Sequence, residues 1–95
     1  MKKPYWFRLY IVGGQYGSQR AEPDLRQALD ACIPGEYALE VIDLRSRPDL
    51  AEADRVLAAP TVMRLAPEPA RRAVGNLTDA EALARALELP VPAKA

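Results

Sequence analysis

The most constraining feature of this chain is an apolar, strand-like run that breaks at a glycine-rich turn and continues into helical sequence. Residues 6–12 (WFRLYIV) are rich in aromatic and β-branched side chains and end at Gly13 and Gly14, which predicts a strand. Beyond the turn, apolar residues recur at the spacing of one helix face, namely Leu25, Ala28, Leu29 and Cys32. Because Pro23 is best tolerated in a first helical turn, the regular helix is expected to begin near Glu22 or to be kinked there.

A second strand is predicted over residues 37–44 (YALEVIDL), after Pro34 and Gly35 end that helix. A strand, a helix and a strand in this order indicate a parallel, right-handed crossover. A short helix is predicted within residues 47–59, with Arg55 toward its end. A third strand then begins at Pro60.

The end of the chain is predicted as a short strand and a capped helix. Residues 70–75 can pair antiparallel with the third strand, and Thr78 and Glu81 have the spacing of a capping box. The helix is expected to stop at Leu89, before a frayed tail over residues 90–95. The order β-α-β-α-β-β-α is that of a thioredoxin-like α/β domain. We expect one domain over residues 1–95, with its core at about residues 5–89.

The composition argues against most catalytic chemistry. The 95 residues include one cysteine and no histidine, and 13 basic residues balance 13 acidic ones. A zinc site would need ligands that the chain lacks, and the balanced charge predicts neither nucleic acid nor a membrane as a partner. Arg8 interrupts the apolar N-terminal run, so we predict no signal peptide and a cytoplasmic protein. Neither a cofactor nor a metal is expected.

Three roles are open for the glycine-rich turn at residues 13–18 (GGQYGS): a phosphate cradle, a dithiol site or a plain connection. The spacing matches no phosphate-binding motif, and no lysine is near in sequence. A thioredoxin-type C-x-x-C would fall at about residues 15–18, which contain no cysteine, so no thiolate is available for disulfide exchange. Cys32 lies on the apolar face at the other end of the helix, where we predict a core role. The plain connection is favoured.

Two further groups admit alternatives. Pro60 opens the third strand and can have a cis or a trans peptide bond, which the sequence leaves open. Four carboxylates from the end of the second strand onward could together hold magnesium. However, Asp49 and Glu52 also fit the first turn of a helix, where negative charge is favourable. We therefore favour the interpretation that the carboxylates belong to a solvated face and bind no metal. These carboxylates are Asp43, Asp49, Glu52 and Asp54.

Several separated motifs resemble the KaiB circadian-clock family. They are FRLYIVGG at residues 7–14, GEYALEVIDLRSRPDLAEADRVLAAPTV at 35–62 and PARRAVGNLTD at 69–79. The resemblance covers nearly the whole chain and implies a non-enzymatic regulator that binds a KaiC-type ATPase, with a sensor kinase as a further candidate partner. It also implies fold switching between a thioredoxin-like form and a self-associating resting form, dimeric or tetrameric, in which the second half is rearranged.

The resemblance also implies particular site residues. Those of the ATPase-facing surface are Tyr5, Arg8, Arg20, Asp54, Arg55 and Arg64. Those of the strand edge expected to meet KaiA are Ala38 and Glu40, but Glu40 stands where the clock proteins carry Lys, which argues against KaiA as a partner. Those of the fold switch are Pro60, Gly75, Ala86 and Glu88. Ala86 stands where the clock proteins carry Gly, a difference of about 1 kcal/mol in a helix. Together with the capping box, this leads us to expect more of the thioredoxin-like form than in a typical clock KaiB.

Two alternative functions remain at this stage. One is a stand-alone thioredoxin-like adaptor or sensor domain that binds another signalling protein. The other is a redox enzyme, which would need an activity that depends on Cys32.

Overall fold

A computed structural model describes residues 3–14 and 16–92 of the chain. The elements within these residues follow the order β-α-β-α-β-β-α, which confirms the predicted fold class. They are β1 (Tyr5–Ile11), α1 (Tyr16–Cys32), β2 (Tyr37–Asp43), α2 (Pro48–Ala53), β3 (Thr61–Ala66), β4 (Arg71–Val74) and α3 (Ala80–Leu87).

The four strands form one mixed sheet in the order β2-β1-β3-β4. β1 and β2 are parallel, as the strand–helix–strand pattern predicts, with Leu9 opposite Val41. β3 is antiparallel to both β1 and β4. The sheet edges are therefore β2 and β4.

Side-chain alternation along β1 gives the sheet two different faces. Phe7 and Leu9 are fully buried beneath α1 and α3, on what we term the α1/α3 face. Tyr10 points to the opposite side, the α2 face, where it packs with Ile42 and Met63 in a smaller cluster. Helix α2 covers this cluster through two partly buried residues, Leu50 and Ala51.

Helix α1 begins earlier than predicted and contains Pro23 in its interior. The prediction that the regular helix begins near Glu22 is therefore wrong. Pro23 is exposed, so the carbonyl of Gln19, which would have accepted the missing N–H bond, lies on the solvent side of the helix. Water can satisfy it there, which lowers the cost of an internal proline.

Helix α2 ends at Ala53, six residues before the predicted limit. Arg55 has a left-handed backbone with φ of 55°, and its N–H donates to the Glu52 carbonyl at 3.1 Å. The Val56 N–H donates to the Ala51 carbonyl at 2.9 Å. This bonding pattern is a Schellman motif, which ends a helix by satisfying its last carbonyls.

Helix α3 also differs from its predicted ends. Its N-cap is Asp79, which accepts a hydrogen bond from the Ala82 N–H at 3.1 Å, so the predicted capping box at Thr78 is wrong. Thr78 instead donates through its hydroxyl to Asn76 at 2.6 Å. The helix ends at Leu87, and Glu88 follows in a left-handed conformation with φ of 55°. Residues 93–95 of the predicted tail lie outside the described residues.

Candidate partner interface

A polar cluster lies on the α2 face, where β1 meets β2 and the end of α2. The Arg8 guanidinium donates from Nε to the Glu40 carboxylate at 2.8 Å and from Nη1 to the Asp54 carboxylate at 3.0 Å. The Tyr10 hydroxyl donates to the same Asp54 carboxylate and lies 3.1 Å from the Leu50 carbonyl oxygen. We call these four side chains (Arg8, Tyr10, Glu40 and Asp54) the Arg8 cluster.

The Arg8 cluster is partly buried, and its contacts shift the pKa of Arg8 and of Tyr10. Burial opposes the charge of Arg8, but hydrogen bonds to Glu40 and Asp54 outweigh burial and raise its pKa. Burial, together with the hydrogen bond to Asp54, raises the pKa of Tyr10. Arg8 also lies over the ring of Trp6, 5.6 Å from its centroid. The cluster therefore holds a fixed cation between two carboxylates.

Strand β4 contributes a further contact to the turn that follows α2. The Arg72 guanidinium donates from Nη1 to the Arg55 carbonyl at 3.0 Å and from Nη2 to the Asp54 carbonyl at 2.5 Å. Strands β1 and β4 thus both anchor the backbone around residues 54 and 55. The side chain of Arg55 itself is exposed.

Two residues expected on the ATPase-facing surface lie on the other face of the sheet. Tyr5 is half-buried and stacks on Phe7 at 6.2 Å between ring centroids. Arg64 is 5% exposed and donates to the Pro69 carbonyl at 2.6 Å and the Glu88 carbonyl at 3.4 Å. Its placement differs from the expected surface position, because alternation along β3 turns Arg64 toward the end of α3.

Three other predicted residues line one cavity of about 240 Å³, beside α1. They are Arg20, Pro60 and Gly75. The Gly75 N–H donates to the Pro60 carbonyl at 3.1 Å, and Gly75 has a φ of 94° that suits glycine. The Ala59–Pro60 bond is cis, which answers the question that the sequence left open.

The remaining predicted residues occupy the edge strand β2 and the last helix. Ala38 is exposed on β2 and shares the α2 face with Glu40, whose side chain turns to Arg8. Ala86 is exposed on α3. The Glu88 carboxylate accepts a hydrogen bond from Arg71 at 2.6 Å, which ties the end of α3 to β4.

Gly13 and Gly14, at the start of the glycine-rich turn, are constrained by close packing and by backbone conformation respectively. A Cβ on Gly13 would collide with the side chains of Arg45 and Asp43, and Gly14 has a φ of 87°. Gln15, at the dithiol position, lies outside the described residues. The Cys32 thiol is 3.7 Å from the Ala80 carbonyl, and burial raises its pKa, which disfavours a reactive thiolate.

The carboxylates considered as a magnesium site are dispersed. Asp43 pairs with Arg45 at 3.0 Å and Asp49 pairs with Arg47 at 3.0 Å, while Asp54 belongs to the Arg8 cluster. Across residues 3–14 and 16–92, no group of three or more metal-ligating side chains could hold an ion. Within the same part of the chain, no helix has the length and apolar character needed to span a membrane.

Sequence reasoning missed three residues around the Arg8 cluster: Tyr10, Leu57 and Arg72. Tyr10 could have been found, because it lies two residues after Arg8 on the same strand and so shares its face. Arg72 reaches the turn only through the register of β4, which places it opposite Met63. The exposure of Leu57 depends on where α2 ends.

The fold and these sites define a thioredoxin-like domain in which the dithiol position of the redox members carries no cysteine. The chain belongs to the KaiB family, since the KaiB domain matches residues 8–89.

Sequence relatives agree with this assignment. The chain is 43% identical over 88 residues to the circadian clock oscillator protein KaiB of Prochlorococcus marinus (strain MIT 9313), covering 93% of this chain and 74% of that protein. It is 40% identical over 89 residues to the circadian clock oscillator protein KaiB of Trichodesmium erythraeum (strain IMS101), covering 94% and 86%.

Solved structures agree with the fold. The N-terminal domain of Synechococcus elongatus SasA matches with a TM-score of 0.72 and 25% identity, covering 90% of this chain and 84% of that one. Mitochondrial thioredoxin 3 from Saccharomyces cerevisiae matches with a TM-score of 0.70 and 16% identity, covering 90% and 78%, which concerns the fold alone. Family membership and the likeness to the SasA domain support a clock-regulatory role.

Proposed function

We propose that this chain is a non-enzymatic regulator that binds a KaiC-type ATPase and modulates its phosphorylation or ATPase cycle, or its signalling output. One observation carries the proposal: in a chain whose residues 8–89 match the KaiB domain, the second half forms β3, β4 and α3. The resemblance assigns ATPase binding to this thioredoxin-like arrangement. A cytoplasmic location belongs to the same proposal.

The proposed ATPase-facing surface is centred on the Arg8 cluster and the turn after α2. Arg8 and Asp54 fix the turn, and Arg55 extends from it into solvent. Arg20 is also exposed and adds a cation beside the cavity that it lines together with Pro60. Tyr5 lies on the α1/α3 face, so its proposed place at the border of this surface rests on the resemblance alone. Arg64 has a structural role instead, because its guanidinium is buried.

Co-elution with a KaiC-type ATPase in the presence of ATP tests this proposal. We expect Arg55→Glu to weaken binding, with Arg85→Glu as the matched control, because both arginines are exposed and Arg85 lies on α3. Absence of binding by the unmodified chain would refute the function. Equal binding by the Arg55→Glu variant would refute the surface and leave the function standing.

Fold switching is the second part of the proposal, with Pro60, Gly75, Ala86 and Glu88 as its positions. Two contacts support a role for these positions in holding the described form: Gly75 to Pro60, and Glu88 to Arg71 at 2.6 Å.

The substitution Ala86→Gly should destabilise α3 by about 1 kcal/mol, which is about a fivefold shift of the equilibrium toward a resting form. NMR of the free proteins measures the populations of the two forms. Equal populations in Ala86→Gly and in the unmodified chain would contradict the prediction. An unmodified free protein that is helical after Ala59 would contradict it as well.

A second candidate function is a stand-alone thioredoxin-like adaptor or sensor domain, which the TM-score of 0.72 to the SasA domain favours. Such a domain would bind a signalling protein, including a sensor kinase, without an ATPase. Pull-downs from cells with and without the KaiC-type ATPase distinguish the two functions. KaiA is not among the proposed partners, because of Glu40, whereas a homo-oligomer belongs to the proposed resting form.

A further inference from the structure

The turn at residues 54–57 is held at the surface by side chains from strands β1 and β4. Arg8 and Tyr10 bind the Asp54 carboxylate, while Arg72 binds the Asp54 and Arg55 carbonyls. Val56 packs partly buried against the cluster on the α2 face. Side chains from two strands therefore fix the backbone immediately before Leu57.

Leu57 is the most exposed large apolar side chain of the described residues, at 97%. Single exposed apolar residues are ordinary on protein surfaces, but this one follows an anchored turn. Its neighbour Arg55 is exposed too. The β3–β4 register turns Val74, 55% exposed, to the same face as Arg72. The turn thus presents an apolar side chain with a cation two residues away.

We propose that Leu57 is the apolar anchor of the docking surface, and that its socket on the partner is apolar and bordered by carboxylates. The inference rests on the proposed function, since the occupant is the KaiC-type ATPase. Charge complementarity supports the acidic border, because the cation of Arg55 faces solvent and the Arg72 guanidinium beside it contacts carbonyl oxygens rather than a carboxylate. A turn ordered before binding also loses little entropy on docking, which suits an anchor residue.

Affinity measurements with the ATPase and ATP test the anchor. Leu57→Asp should weaken binding about 10- to 100-fold, the range expected when a buried leucine contact is lost. Leu57→Met should stay within about threefold, since methionine has a similar volume. Val91→Asp is the matched control, because Val91 is 67% exposed at the end of the chain, and it should bind as the unmodified chain does.

The role of Arg72 as a positioning residue has its own test. Arg72→Lys retains the charge but cannot span two carbonyls as a guanidinium does, so we expect weaker binding. If Arg72 acts by positioning Leu57, the same substitution should have little further effect in a Leu57→Ala background. Thermal unfolding of each variant identifies any loss of fold.

The outcomes separate the inference from the function on which it rests. Strong binding by the unmodified chain together with full-strength binding by folded Leu57→Asp would overturn the anchor and leave the proposed function in place. Absence of binding by the unmodified chain would overturn both. Equal losses from Arg72→Lys in the two Leu57 backgrounds would overturn the positioning role.

Discussion

Arg64 provides the sharpest test of how the structure changes the interpretation of a residue. The resemblance places it at a partner surface, whereas its side chain is only 6% exposed. Arg64→Met removes the guanidinium and keeps a flexible apolar side chain in its place. We expect the variant to lose stability even without any partner, because the buried guanidinium donates a short hydrogen bond to the Pro69 carbonyl in the turn between β3 and β4.

The magnitude follows from the contacts of the guanidinium. The 2.6 Å bond to the Pro69 carbonyl is charge-assisted, and such bonds contribute about 1.5–3 kcal/mol. The contacts with Glu88, at 3.4 Å to its carbonyl and 3.9 Å to its carboxylate, are long and add little. Against this, Nε has no acceptor among the described residues, a cost that the variant removes. The net loss should be about 1–2 kcal/mol.

Urea unfolding followed by circular dichroism measures this loss. With a slope of about 1 kcal/mol per M, typical of a chain of this size, the midpoint should fall by about 1–2 M. The control Arg85→Met, at an exposed position on α3, should stay within about 0.5 kcal/mol. Unfolding midpoints that coincide for Arg64→Met and the unmodified chain would refute the structural role.

Three further predictions concern the Arg8 cluster and the single thiol. Because the pKa of Tyr10 is raised, its contribution to stability is complete below the unfolded pKa of about 10 and is lost as pH rises through the folded value. The free energy of unfolding should therefore depend less on alkaline pH in Tyr10→Phe than in the unmodified chain. Identical dependence of the two proteins on pH would contradict this. Arg8→Gln leaves Asp54 without its guanidinium and should cost about 1–3 kcal/mol in urea unfolding, with exposed Arg26→Gln nearly neutral. Burial raises the pKa of Cys32, so iodoacetamide at pH 8 should alkylate Cys32 more slowly than it alkylates the thiol of glutathione. Adding urea should remove this difference. Equal alkylation rates without urea would exclude the burial of Cys32.

The element ends show where local patterns were insufficient. Local sequence patterns placed all seven elements, but three helix ends depended on contacts beyond these patterns. Exposure of Pro23 allows α1 to continue through it, and the Schellman bonds end α2 before Arg55. Asp79 competes with Thr78 for the N-cap of α3, and hydrogen bonding of Thr78 to Asn76 decides between them.

The sequence by itself determined the order of elements, the parallel pairing of β1 and β2, and the absence of a cysteine pair at the glycine-rich turn, because these depend on residue type and short-range spacing. Family membership also follows from it, through ordered motifs. Only the tertiary structure decided which polar residues meet. Strand register brings Arg72 to the Asp54 and Arg55 carbonyls and buries Arg64 against α3. Contacts between residues distant in the chain arise from packing, which local periodicity does not encode.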